Sequence, residues 1–141
     1  MIVDANILLY AVDETSRHHQ RCKAFLEEHL NGDLRIGIPW QSVSAFLRLA
    51  THPRIMANPL RTQAAVTFVD DWLAAPAAWL PDLKARTWTI MSQLVVTHEL
   101  TGNLIPDAQF AALAIEHGVP VASADSDFAR FPEVRWVSPC A

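Results

Sequence analysis

The sequence predicts an α/β fold, with a mainly parallel sheet flanked by helices on both faces. Three observations carry that expectation. Short apolar runs such as "MIVD", "LRIGI", "VPVAS" and "VRWVS" recur along the chain. Longer segments with helical spacing of apolar residues separate them, as in chains that wind helices around a parallel sheet. The length, 141 residues, allows one domain spanning 1–141 and leaves no room for a second core.

Residues 1–4 read as a buried strand and "NILLYAV" as a short helix. "SRHHQRCKAFLEEHLNG" carries Cys22, Phe25, Leu26 and Leu30 on one face, with Ser16 as a cap and Gly32 as the stop. "LRIGI" (34–38) is the second strand. "PWQSVSAFLRLATH" opens with Pro39 and stops before Pro53, as a helix should. "TQAAVTFVDDWLAA" (62–75) is amphipathic, with Thr62 in capping position and Pro76 closing it. "ARTWTIMSQLVVTHELTGN" reads as a longer helix ending at Gly102. "PDAQFAALAIEHG" starts with Pro106 and Asp107 and ends at Gly118. "VPVAS" (119–123) is a β-branched strand, "ADSDFARFP" a turn with a short helix, and "VRWVS" a closing strand.

Half the residues are hydrophobic and 18% are charged, which argues for a packed fold and against disorder. Apolar runs such as "NILLYAV" are too short to cross a bilayer. The first residues have neither the basic region nor the cleavage site of a signal peptide. Cys22 and Cys140 stand far apart and do not form a disulfide framework, so a cytoplasmic location is expected. The net charge of −4 excludes nucleic-acid binding by bulk charge, so such a role would need a local basic patch or bound cations.

Four aspartates carry the candidate chemistry. Asp4 stands at the carboxyl end of the first strand, where ligands bind in open α/β sheets. Asp125 and Asp127 follow the carboxyl end of "VPVAS". Asp107 lies in the first turn of the helix that leads into that strand, so its helix start falls near that strand's end. Each has an ordinary explanation: Asp4 as a helix cap, Asp107 as a charge matched to the helix dipole, Asp125 and Asp127 as turn residues, with Asp127 capping the short helix. Together at one sheet edge they would repel and raise one another's pKa unless a cation joined them. Mg²⁺ or Mn²⁺ suits such oxygen donors. Asn6 and Ser123 point to the same edge, where turn chemistry and the orientation of water or phosphate oxygens both remain open. Six histidines show no zinc spacing with a cysteine. Trp40, Trp72, Trp79, Trp88 and Trp136 are expected mainly in core or interface packing, with base stacking on nucleic acid as the alternative.

"IVDANILLYAVDE", "FLRLATHPRI", "GNLIPDAQFAALAIEHG" and "VASADSDFARFPEVRWVSP" resemble the PIN-domain ribonucleases of the VapC type. The resemblance runs from the first residues to about Pro139. It implies Mg²⁺- or Mn²⁺-dependent cleavage of RNA, often structured RNA such as tRNA or rRNA, by a toxin held in a complex with a small antitoxin. It also implies a homodimer, for which the aromatic segment 68–73 is the one candidate surface. By the same resemblance Asp4, Asp107 and Asp125 match the metal-binding acids and Asp127 the variable fourth. The chain departs from many members in having no acid in "PWQSVSAFLRLATH", where Gln41 or Ser44 is left to hold a water. Arg48, His52 and Arg54 form a basic cluster, and Arg48, Arg54 and Arg130 are candidate RNA contacts, with solvated charge as the alternative. Two other readings stay open: a PIN-like binding module without catalysis, and an α/β phosphoesterase with an aspartate nucleophile. The second is disfavoured because Lys23 and Lys84 lie far from the acidic turns in sequence.

Overall fold

In a computed structural model that describes residues 1–140, five short strands form one sheet. They are β1 (Ile2–Val3), β2 (Ile36–Gly37), β3 (Ala78–Trp79), β4 (Val121–Ala122) and β5 (Trp136–Val137). Their order is β3-β2-β1-β4-β5, and every neighbouring pair is parallel. Six helices connect them: α1 (Ala5–Val12), α2 (His19–Leu30), α3 (Trp40–Ala50), α4 (Thr62–Ala74), α5 (Ala85–Thr97) and α6 (Ile105–His117).

The alternation of side chains along a strand divides the core in two. Val3 and Ala122 face a cluster built on α1 to α4, with Ile7, Leu26 and Phe46 at its centre. Ile2 and Val121 face the opposite cluster, built on α5, α6 and the turns around them, with Phe110 and Leu113 buried. Both faces are therefore covered, which explains why the strands read as continuous apolar runs. α6 is buried almost all round, and its alanines 108, 111, 112 and 114 let the helix backbone lie close to the sheet. It ends at Gly118, whose φ of 64° is the left-handed cap conformation that glycine adopts without strain.

Four local expectations change. β3 was not anticipated. The helix expected through Gly102 stops at Thr97: Glu99 takes a φ of 50° and turns the chain, while Gly102 opens a 3₁₀ turn (Gly102–Leu104). α2 begins at His19 rather than near Ser16, whose hydroxyl instead accepts from the His18 amide in the preceding turn. Of the tryptophans, Trp72 is buried edge-on to Phe46, but Trp40 and Trp88 are exposed. Cys22 and Cys140, distant in sequence, meet with Sγ atoms 3.3 Å apart; both are free thiols, and burial pushes Cys22 up to about 12. Among the described residues, no helix is long and apolar enough to cross a membrane.

Candidate metal centre

The strand order dictates where a site can form. From β1 the chain steps outward to β2 and β3, then returns to lay β4 on the other side of β1. The carboxyl ends of β1 and β4 therefore flank a topological switch point, where connections leave in opposite directions and a crevice opens. Asp4 follows β1 directly and Ser123–Asp127 follow β4.

Ser123 is fully buried and joins the two strand ends. Its Oγ donates to Asp4 Oδ2 at 2.7 Å and accepts from Asn6 Nδ2 at 3.1 Å and from the Asp125 amide at 3.0 Å. Asn6 also donates to Asp4 Oδ2 at 3.3 Å, while its Oδ1 accepts from the Ala124 amide at 3.1 Å. Behind this network the Trp136 indole N–H donates to the Ser123 carbonyl at 2.9 Å, tying β5 to the site. Sequence reading missed that link, because an apolar strand residue carries no sign of where its N–H points. Asp4 stands at the N-cap of α1, but no side-chain cap bond forms, because its carboxylate is turned to Ser123 and Asn6.

Asp107, in the first turn of α6, is 8% exposed. One oxygen from each of Asp107, Asp125 and Asp127 lies within 4.8 Å of the others. Asp125 is the residue that caps the short 3₁₀ helix (Ser126–Arg130): its Oδ1 accepts from the Asp127 amide at 2.9 Å, which corrects the expectation that Asp127 is the cap. Asp127 in turn has the Arg130 Nε 3.8 Å from its Oδ1, an exposed pair that screens it partly. Asp4 is outside the trio of mutually close oxygens but lines the same cleft of about 330 Å³ with Asp107 and Asp125.

The electrostatics mark this as a place where negative charge is in excess. Burial, then the charges of Asp125, Asp4 and Asp127, push Asp107 up to about 7. Burial also raises Asp4, against the opposing hydrogen bond from Ser123, with the Asp125 charge adding to the rise. A set of carboxylate oxygens with this surplus fits a hard divalent cation, which binds oxygen donors and cancels the repulsion.

α3 forms the remaining wall through Gln41, Ala45 and Leu49. It presents no acid. Gln41 Nε2 donates to the Pro106 carbonyl at 3.1 Å, linking α3 to the turn that carries Asp107. Ser42, another residue without a sequence signal, donates from its buried hydroxyl to the Val3 carbonyl and fixes the start of α3 against β1. Ser44 is exposed on the outer side of α3 rather than on this wall. Arg48 lies exposed in the last turn of α3, and Arg54 is exposed in the loop beyond.

A family profile described as PIN domain matches residues 1–134. The chain is 46% identical over 140 residues to Ribonuclease VapC37 of Mycobacterium tuberculosis, covering 99% of this chain and 97% of that protein. It is 37% identical over 139 residues to Ribonuclease VapC33 of the same species, with coverage of 99% and 97%. In fold it is similar to VapBC2 from Rickettsia felis, solved bound to a DNA fragment from its promoter: TM-score 0.72, 17% identity, 97% of this chain and 96% of that one. It is also similar to VapC20 of Mycobacterium tuberculosis, described as a Sarcin-Ricin loop cleaving toxin: TM-score 0.68, 17% identity, coverage 95% and 98%.

Proposed function

The chain belongs to the PIN-domain family, and from that premise we propose that it is a metal-dependent endoribonuclease, the toxin of a toxin–antitoxin pair. The observation that carries the reading is the meeting of Asp107, Asp125 and Asp127, with Asp4 beside them, at the switch point of the sheet. The ribonuclease names of full-length relatives support it.

In this reading residues 1–141 form one nuclease unit. Asp4, Asp107 and Asp125 hold Mg²⁺ or Mn²⁺, and Asp127 completes or orients the set. A divalent cation there supplies Lewis acidity toward the scissile phosphodiester and lowers the pKa of an attacking water. Ser123 and Asn6 fix the Asp4 carboxylate through its Oδ2 at the wall of the cleft. Gln41 holds the first turn of α6, and with it Asp107, against α3. Arg48, Arg54 and Arg130 contact the RNA backbone. The substrate is RNA, with structured RNA such as tRNA or rRNA as the expected class, and the protein acts in the cytoplasm as a homodimer restrained by a cognate small antitoxin. Phe68 is the exposed member of the aromatic segment on α4 and the candidate for such a contact, since Trp72 is buried in the core.

The absence of an acid from the α3 wall favours one alternative, a PIN-domain module that binds RNA or a partner without cutting it. Incubation of the purified chain with total RNA and Mg²⁺ or Mn²⁺, beside Asp125→Asn and an EDTA control, separates the two. Metal-dependent cleavage lost in the mutant supports the nuclease. Binding with no cleavage under any metal supports the module, and cleavage unchanged in EDTA means a different site or a contaminant.

A further inference from the structure

We propose that the outward stripe of α3, formed by Trp40, Ser44 and Arg48, is a track for unpaired ribonucleotides, with the Trp40 indole stacking on a base beside the acidic cleft. The proposal rests on the reading that RNA reaches that cleft, and it adds which part of the RNA is gripped and by what.

Helix geometry sets the track. Residues four apart share a face, so Gln41, Ala45 and Leu49 make one row, and that row is the cleft wall. Trp40, Ser44 and Arg48 each precede one of these residues and form the neighbouring row, about 100° around the helix. All three are exposed. Trp40 is 58% exposed although it is an indole, and among the described residues no aromatic ring packs against it. It is the first residue of α3, separated from Gly37 at the end of β2 only by Ile38 and Pro39, so it stands at the same sheet edge as the aspartates. Arg48 lies eight residues further, about 12 Å along the helix axis. Aromatic face, hydroxyl and guanidinium thus follow one another beside a cleft lined with acids.

Single exposed apolar residues are ordinary on protein surfaces. The other exposed tryptophan shows what such a residue looks like without this context. Trp88 lies in the first turn of α5, and its neighbour Thr87 bonds Glu116 at the far end of α6, which places Trp88 at the opposite edge of the sheet from the acids. Trp88 also has an exposed cation four residues away, Lys84, so what sets Trp40 apart is its position at the acidic edge, where Arg48 extends its stripe along the cleft wall. A stacking ring together with a backbone-binding cation is the arrangement by which proteins hold single strands. A paired base in an A-form helix hides its face in the stack, so an indole platform selects unpaired nucleotides.

The test uses the full chain carrying Asp125→Asn to prevent cleavage, with a single-stranded oligoribonucleotide and a fully paired duplex of equal length as probes. Binding is read by anisotropy over a series of salt concentrations. Trp40→Ala is expected to weaken binding of the single strand by about 5- to 100-fold, with the salt slope unchanged because no charge is lost. Trp40→Phe should restore most of that loss, and duplex binding should not move. Arg48→Ala is expected instead to reduce the salt slope by about one. Thermal melts of each variant check folding, and the exposed position of Trp40 leaves the core intact. Single-strand binding unchanged by Trp40→Ala, or weakened equally for duplex, overturns the proposal, and so does a change in sedimentation without a change in RNA binding, which marks Trp40 as a protein contact. If the wild-type chain cuts RNA while Trp40→Ala binds like its parent, the track fails and the nuclease reading stands. If the parent binds neither probe and the wild type cuts nothing, both fail together.

Discussion

Replacing Asp107 with asparagine should stabilise the cation-free protein at neutral pH and leave it unchanged in acid. The folded-state value, raised from 3.8 to about 7, means that Asp107 is protonated when folded and ionised when unfolded across that interval. The unfolded state then binds fewer protons, so stability falls as pH rises from about 4 to about 7 and levels off above. Roughly three pH units at about 1.36 kcal/mol each set a ceiling near 4 kcal/mol. Water enters the open cleft and screens the carboxylates, and halving for that leaves about 2 kcal/mol. Asparagine is close in shape to the protonated acid, so whatever packing change it introduces is measured at low pH and cancels from the comparison. The assay is urea unfolding of both proteins in EDTA at about pH 4 and about pH 8, the ends of the titration window. The variant should gain about 2 kcal/mol relative to wild type between them. Saturating Mg²⁺ or Mn²⁺ at the higher pH should then stabilise the wild type well above the variant. A wild-type-to-variant difference that is the same at both pH values would refute the claim that crowded, buried negative charge strains this site.

Ser123→Ala should cost about 1–3 kcal/mol, because it strips a buried hydroxyl bond from Asp4, and it should lower metal-dependent cleavage without removing any acid, as read by denaturant unfolding and RNA cleavage side by side. Gly37→Ala should destabilise by about 1–3 kcal/mol. A Cβ there would sit 2.7 Å from Ile2 Cδ1 and 3.2 Å from Trp79 Cε3 in the middle of the sheet, and a thermal melt equal to wild type would show that the sheet yields. Phe46→Ala should cost about 3–5 kcal/mol by opening a cavity against Trp72, measurable as a drop in the urea midpoint with an unchanged slope.

What could be read from the sequence follows from how much of each signal is local. α6 was legible because its start and stop are written in side chains that act on their own backbone: Pro106 inside the first turn and Gly118 in the left-handed cap. β3 was not, because Ala78–Trp79 is two residues long, lies between Pro76 and Pro81, and carries no β-branched residue. Only its pairing with β2 makes it a strand. The end of α5 was hidden for a related reason, since Glu99 adopts a conformation that its side chain does not advertise while Gly102, which does, lies beyond the helix.

The meeting of the acids was legible for a different reason: parallel topology sends every strand's carboxyl end to one edge, so acids placed after strands and at the starts of returning helices must approach one another. Which oxygens remain available does not follow from topology. Asp4 Oδ2 accepts from Ser123 and Asn6, and Asp125 Oδ1 accepts from the Asp127 amide, through a hydroxyl, a side-chain amide and a backbone N–H whose directions only the folded chain fixes. These bonds decide how the charge is shared. Asp4 is held by donors that favour its ionised form against burial, whereas for Asp107 burial and three like charges all push the same way. The site therefore concentrates its unrelieved repulsion on one carboxylate. A cation that approached Asp107, Asp125 and Asp127 would relieve the largest strain first, so metal affinity should respond more to the loss of Asp107 than to the loss of Asp4. Calorimetric titration of Mn²⁺ into Asp107→Asn and Asp4→Asn tests that order. Equal losses would mean that charge count, not the distribution of hydrogen bonds, sets the affinity.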